Sequence, residues 1–107
     1  MRVISYEEVE AKEVEEGSKL KIRWLNTEGS KNFAVRHFEI EPGGYSPHHS
    51  HPWEHEIFVL EGTGTVIGNE VVEAISVGNI ISIPGEEIHQ IKNTGKSTLK
   101  FLCMIPK

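Results

Sequence analysis

Lys19-Leu20-Lys21-Ile22-Arg23-Trp24 alternates charged and apolar residues with a period of two. Successive side chains of a strand point to opposite faces, so this stretch predicts a strand buried on one side. Phe33 to Glu41 reads as another strand. Pro42-Gly43-Gly44 is expected to end it, because proline has no ladder donor and glycine allows unusual backbone angles. Asn26 to Lys31, between the two, is a turn-rich loop. Glu56 to Glu61 predicts a further strand, with Gly62 and Gly64 marking a bend or bulge. Thr65 to Ile67 and Glu70 to Glu73 flank Gly68-Asn69, a hairpin signal. Short strands follow over Asn79 to Ile83, Ile88 to Asn93 and Thr98 to Ile105, divided by Pro84-Gly85 and Thr94-Gly95-Lys96. Roughly nine or ten short strands and no long amphipathic helix predict an all-β sandwich or barrel. Residues 1 to 16 fit neither period, although Tyr6 to Glu16 is rich in glutamate and compatible with a short helix. The stretch 1–18 is therefore expected to be a solvated N-terminal arm.

Length and composition narrow this picture. At 107 residues, without repeat, low-complexity tract or linker, residues 1–107 make one domain. A net charge of −5 and no basic patch argue against nucleic acid and against an anionic membrane surface as partners. The single cysteine, Cys103, excludes an intrachain disulfide and fits a reducing cytosol. The N-terminus is acidic from Glu7 on and has no signal-peptide core, and no apolar run approaches the roughly 20 residues of a membrane span. A soluble cytoplasmic protein is the expectation.

Candidate chemistry is concentrated in Pro47 to Gly62, PHHSHPWEHEIFVLEG, which holds four of the six histidines. His49, His51 and His55 are separated by even counts, so an extended segment would point all three the same way and His48 the other. Converging imidazoles point to a metal site. His89, at the start of a separate strand, is the natural fourth ligand. His37 alternates with Phe38 and reads as a partnered surface or interface histidine, not a ligand. Trp53 shares the ligands' parity, and Arg36 and Gln90 are candidate pocket polars. No Ser-His-Asp arrangement, phosphate loop or paired-carboxylate signature competes.

Two spacings resemble those of the cupin family. The first motif runs from Gly43 through His49, His51 and His55 to Gly62. The second runs from Gly78 through Pro84 and His89 to Asn93, fifteen residues after the first. The resemblance covers residues 43–62 and 78–93 and is close to the small four-histidine manganese cupins of thermophiles, which carry HSHPWEH. It implies a double-stranded β-helix, or jelly roll, with one divalent metal ion inside the barrel, Mn or Fe first and Zn, Ni or Cu as alternatives. In such a barrel Phe101 and Cys103 belong to a wall strand and are candidates to line the cavity with Trp53 and Arg36. Packing alone, with Cys103 as a small buried hydrophobe, is the plainer expectation.

Two positions depart from the family pattern. His55 stands where the family places a glutamate. Glu56 would be the alternative, but it breaks parity with His49 and His51. Glu86 occupies the place of the second motif's glycine. Four neutral histidines leave a divalent charge uncancelled, so the site is expected to favour an anionic guest such as an enolate, a carboxylate or hydroxide. Octahedral coordination would leave two positions open, and tetrahedral coordination would leave none. The resemblance implies a metal-dependent enzyme of the oxygenase or dioxygenase kind acting on a small organic substrate. A non-catalytic metal or small-molecule sensor and a redox-inert isomerase, epimerase or hydrolase are the rivals. Ile57 to Leu60 is apolar on both faces, which together with the resemblance implies a homodimer.

Overall fold

The computed structural model describes residues 1–26 and 30–107. Residues 27–29 of the loop expected over 26–31 lie outside the described residues. Nine strands are present among the described residues: β1 Lys12–Glu13, β2 Ser18–Trp24, β3 Phe33–Tyr45, β4 His55–Glu61, β5 Thr63–Gly68, β6 Val72–Ser76, β7 Ile80–Ile83, β8 His89–Lys92 and β9 Leu99–Pro106. Alternation along them decides which side is buried. Leu20 and Ile22 of β2 point inward and Lys19 and Lys21 outward. On β4, His55, Ile57 and Val59 are buried while Glu56, Phe58 and Leu60 are exposed.

All pairings are antiparallel, in the order β6-β5-β8-β3-β9-β4-β7, with β2 also on β3 and β1 on β2. Ile75 of β6 and Ile83 of β7, from opposite ends of this path, share one core with Ile40, Ile57, Val59, Leu99 and Phe101. The sheet therefore curls back on itself, and the expected jelly-roll barrel is what the chain forms. Curling places the inward faces of β3, β4 and β9 around a common interior. Cys103 stands opposite Arg36 on one side and Ile57 on the other.

Four local expectations change. Strand β3 does not stop at Pro42 but runs on to Tyr45. Gly43 takes φ +85, and its N–H donates to the Asn93 carbonyl at 3.2 Å. The Pro-Gly-Gly run thus bends the strand without ending it. The hairpin between β5 and β6 turns at Asn69-Glu70, with Glu70 at φ 65, and the Gly68 N–H meets the Val71 carbonyl. Residues 46–54 are not a strand: His49 makes only an isolated bridge to His89. Pro47 and Pro52 remove two donors from this segment, so parity is not what aims its histidines.

The N-terminal arm is docked instead of being merely solvated. Ser5 and Glu8 form a capping box around a short 3-10 helix, Tyr6–Glu8. Arg23 donates to the carbonyls of Tyr6 (3.2 Å) and Val9 (3.0 Å). The Tyr6 ring covers buried His37, with centroids 4.5 Å apart. His37 is therefore not the partnered surface or interface histidine expected: it is buried under the Tyr6 ring, and its Nδ1 has no hydrogen-bond partner, with Glu39 4.0 Å away. Past β1, Val14 packs against the core.

Candidate metal centre and substrate cavity

Backbone bonds between two loops assemble the histidines. His49 and His89 exchange N–H···O bonds of 3.2 and 2.9 Å, and the Glu86 N–H donates to the His51 carbonyl at 2.7 Å. Glu86 makes that bond at φ 70, a left-handed conformation, at the position where the family pattern has glycine. At the preceding residue, Gly85, a Cβ would collide with the Pro52 carbonyl. Pro84-Gly85-Glu86 therefore pins the histidine loop to the start of β8.

His49, His51 and His89 present ring nitrogens that all lie within 4.8 Å of one another. The His55 ring stacks on His51, centroids 4.3 Å apart, and stands 5.0 Å from His89. His49 is exposed, His51 half-buried, and His55 and His89 buried, so the cluster runs from the barrel mouth inward. Glu56 points to the outer face and accepts a 2.7 Å bond from Ser82, so it does not share the histidines' side. His48 is exposed and outside the cluster.

Hydrogen bonds set the tautomers. His51 Nδ1 faces the Trp53 carbonyl at 3.0 Å and His89 Nδ1 faces the Glu87 carbonyl at 2.9 Å. A carbonyl only accepts, so each Nδ1 carries the proton and each Nε2 is left with a lone pair. His55 Nδ1 lies 3.2 Å from Cys103 Sγ, while its Nε2 is buried without a partner. Histidines anchored at one nitrogen and free at the other have the arrangement metal ligands need. The donor set fits a divalent first-row ion.

Three of these rings, His49, His55 and His89, are held below the ordinary histidine pKa. Burial, followed by the Arg36 charge and the other histidines, lowers the His55 pKa to about 3. Burial also lowers His49 and His89, opposed in part by Glu16 at His49 and by the Glu87 carbonyl at His89. Burial raises the Cys103 thiol, against the pull of Arg36.

The histidines open into a cavity of about 320 Å³. Trp53, Arg36, Phe101 and Cys103, the expected pocket residues, all line it. Cys103 is buried as expected but is more than a small hydrophobe, since it also accepts a 3.0 Å bond from Arg36 Nη2. Gln90 is instead engaged with the Ser46 carbonyl and is not in this wall. Val14, Glu16, Phe38 and Ser46 also line the cavity and were not anticipated. The capping signal Ser5-x-x-Glu8 was the one readable hint that the N-terminal segment docks at all. Larger hollows of about 420 and 820 Å³ exist, but the first meets only His89 of the cluster and the second none of it.

Comparison with known proteins agrees with this geometry. The Cupin_2 (cupin domain) family model matches residues 36–105. The 1-methylthio-D-xylulose 5-phosphate methylsulfurylase of Rhodospirillum rubrum is 34% identical over 71 residues, 66% of this chain and 46% of that protein. The chain spans about half the length of the curated relatives it matches. Among solved structures, the polyketide cyclase RemF from Streptomyces resistomycificus superposes with a TM-score of 0.91 at 31% identity, covering 99% of this chain and 79% of that one. A predicted oxalate decarboxylase from Thermotoga maritima gives a TM-score of 0.89 at 25% identity, covering 98% of each chain. With both histidine-bearing segments inside the matched range, the chain belongs to the Cupin_2 family of cupin domains.

Proposed function

We propose that this cupin is a metal-dependent enzyme that transforms a small anionic or enolizable organic substrate, with His49, His51, His55 and His89 holding one divalent ion, Mn or Fe. The observation that carries the reading is the group of ring nitrogens of His49, His51 and His89 within 4.8 Å of one another on one cavity, with His55 outside that group but its Nε2 buried in the same wall and unpartnered. An ion held there would supply Lewis acidity and, if redox-active, a path for electrons to O2. The protein's own part is binding and exclusion. His51 and His89 are locked by backbone carbonyls, Trp53 stacks on His51 at 4.4 Å, and Phe38 and Phe101 give the cavity an apolar wall. With no carboxylate among the proposed ligands, the site draws in anions. The oxygenase or dioxygenase type is the first reading.

A redox-inert transformation is the second reading, favoured by likeness to a polyketide cyclase along almost the whole chain. We further propose a homodimer, since Phe58, Leu60, Ile80 and Met104 leave an exposed apolar face on β4, β7 and β9. Metal analysis of the purified protein, followed by oxygen uptake with enolizable and phenolic acids, tests the function. Bound Mn or Fe with substrate-dependent uptake supports the oxygenase. Turnover without oxygen uptake selects the redox-inert enzyme. No metal after growth in metal-rich medium overturns both.

A further inference from the structure

Arg36 projects from the inward face of β3 into the cavity, where its guanidinium has no counter-ion among the described residues. Nη2 donates to Cys103 Sγ at 3.0 Å, and Nε is buried with no acceptor. The ion pairs among the described residues are Arg23–Glu39, His37–Glu39 and Lys100–Glu61, and none involves Arg36. Among the described residues Glu16 is the one carboxylate in the cavity wall, and it too makes no ion pair with Arg36. A cation partly removed from water, with a buried N–H unsatisfied, is costly unless a guest completes it.

The surroundings say what kind of guest fits. The guanidinium carbon lies 5.1 Å from the Phe38 ring centroid and 5.5 Å from that of Trp24. Phe38 in turn stacks on Phe101, centroids 5.2 Å apart and planes 21° from parallel. Flat aromatic walls favour a flat body. One sulfur atom, Cys103 Sγ, touches both Arg36 and His55, so a single small molecule can meet the guanidinium and the histidines together. The volume of about 320 Å³ is at the low end of the roughly 300–1,000 Å³ usual for small-molecule sites, which suits a compact acid and not a fused-ring chain.

We infer that the cavity binds a small, flat aromatic or conjugated carboxylate, its carboxylate held by Arg36 and its plane against Phe38 and Phe101. This rests on reading the cavity as the substrate chamber, and it adds a specificity residue that the metal alone does not supply. A guanidinium–carboxylate pair with charge-assisted bonds distinguishes an acid from its amide by about tenfold or more.

Benzoate, benzamide and acetate serve as probes on the protein as purified, with its metal content measured. Both tryptophans of the chain, Trp24 and Trp53, flank the site, so intrinsic fluorescence reports binding. Benzoate should bind at least about tenfold more tightly than benzamide or acetate. Arg36→Gln should remove that preference, bringing benzoate down to the affinity of benzamide. Equal affinity for benzoate and benzamide, or an Arg36→Gln variant that binds benzoate as well as wild type, overturns the inference. A crystal structure of the wild type with benzoate decides it even if the variant does not fold: a carboxylate on Arg36 supports it, and one that avoids Arg36 overturns it. A metal-free protein that still shows Arg36-dependent benzoate binding would sink the metal enzyme while leaving this inference standing. A metal-loaded protein with no acid preference would do the reverse.

Discussion

Cys103 Sγ lies 3.2 Å from His55 Nδ1 and ties the last strand of the barrel to the first residue of β4. The sulfur also accepts from Arg36, so it is held from both sides. If His55 Nε2 binds an ion, Nδ1 must carry the proton and donate it to the sulfur, which fixes the ring's rotation. Cys103→Val removes that acceptor at similar size. We expect it to weaken metal affinity about tenfold, within the 10–100-fold range for partners of ligating histidines, while Cys103→Ser retains most of it. Competition with a chelating dye measures both. Equal affinity in Cys103→Val and wild type would show that the sulfur does not position His55.

His55 and Glu56 are neighbours with opposite directions. His55 is 7% exposed and points at the cluster, whereas Glu56 is exposed and engaged with Ser82. Consequently His55→Ala should lose at least about tenfold in metal affinity, and Glu56→Gln should keep the wild-type value. Metal content after dialysis reads the difference directly. Full metal in His55→Ala together with loss in Glu56→Gln would transfer the ligand role to Glu56.

Much of this site could be read in the chain before its fold was known, and the reasons are local. The intervals among His49, His51, His55 and His89, with the glycines and Pro84 between them, survive any error in strand boundaries. What was hidden depends on contacts distant in sequence. The even spacing of His49 and His51 reads as one face of an extended segment, yet they are aimed by backbone bonds to His89 and Glu86. Arg36 and Cys103 meet only because β3 and β9 pair in one particular register. Tyr6, Val14 and Glu16 belong to a segment without periodicity. Single contacts, not a repeating face, hold it down, and hydrophobic patterning cannot register those.

The neutral histidines make metal-free stability depend on pH. Burial lowers the folded-state pKa of His55 to about 3 and also lowers that of His37, for which burial again outweighs Glu39. Below the ordinary value of 6.5 the unfolded chain binds protons that the folded chain does not. Stability is therefore full above pH 6.5 and declines as pH falls toward the folded values. A buried group such as His55 contributes a slope of up to about 1.4 kcal/mol per pH unit in that window. Urea midpoints of chelator-treated protein should fall from pH 7 to pH 5. The fall should be smaller in His37→Phe, which lacks one of these groups. A flat profile would mean that the buried rings take up protons as readily in the fold as in the unfolded chain.

Glu86 holds φ 70 to direct its N–H at His51. A left-handed conformation costs a non-glycine residue about 1–2 kcal/mol, and glycine's extra freedom in the unfolded chain takes back about half of the relief. Glu86→Gly should raise stability by about 0.5–1 kcal/mol with metal binding intact. Glu86→Val, a β-branched residue at the same φ, should lower it. Denaturant unfolding gives both values, and a loss of stability in Glu86→Gly would show that the glutamate side chain contributes more than its backbone strain costs.

The outer face of β4 presents Phe58 between Leu102 of β9 and Ile80 of β7. Ile80 is 69% exposed and Phe58 39%, with Leu60 and Met104 beside them. An apolar patch of this kind on a small domain is an association surface more often than bare surface. A twofold axis near Phe58 would bring the patch against its own copy, giving the self-complementary interface that cyclic dimers use. Phe58→Glu would then place two like charges close together at that axis. We expect the wild type to run as a dimer in light scattering and Phe58→Glu as a monomer. The residue's side chain faces away from the cavity, so the variant should keep its metal. A monomeric wild type at tens of micromolar would remove the dimer without touching the site.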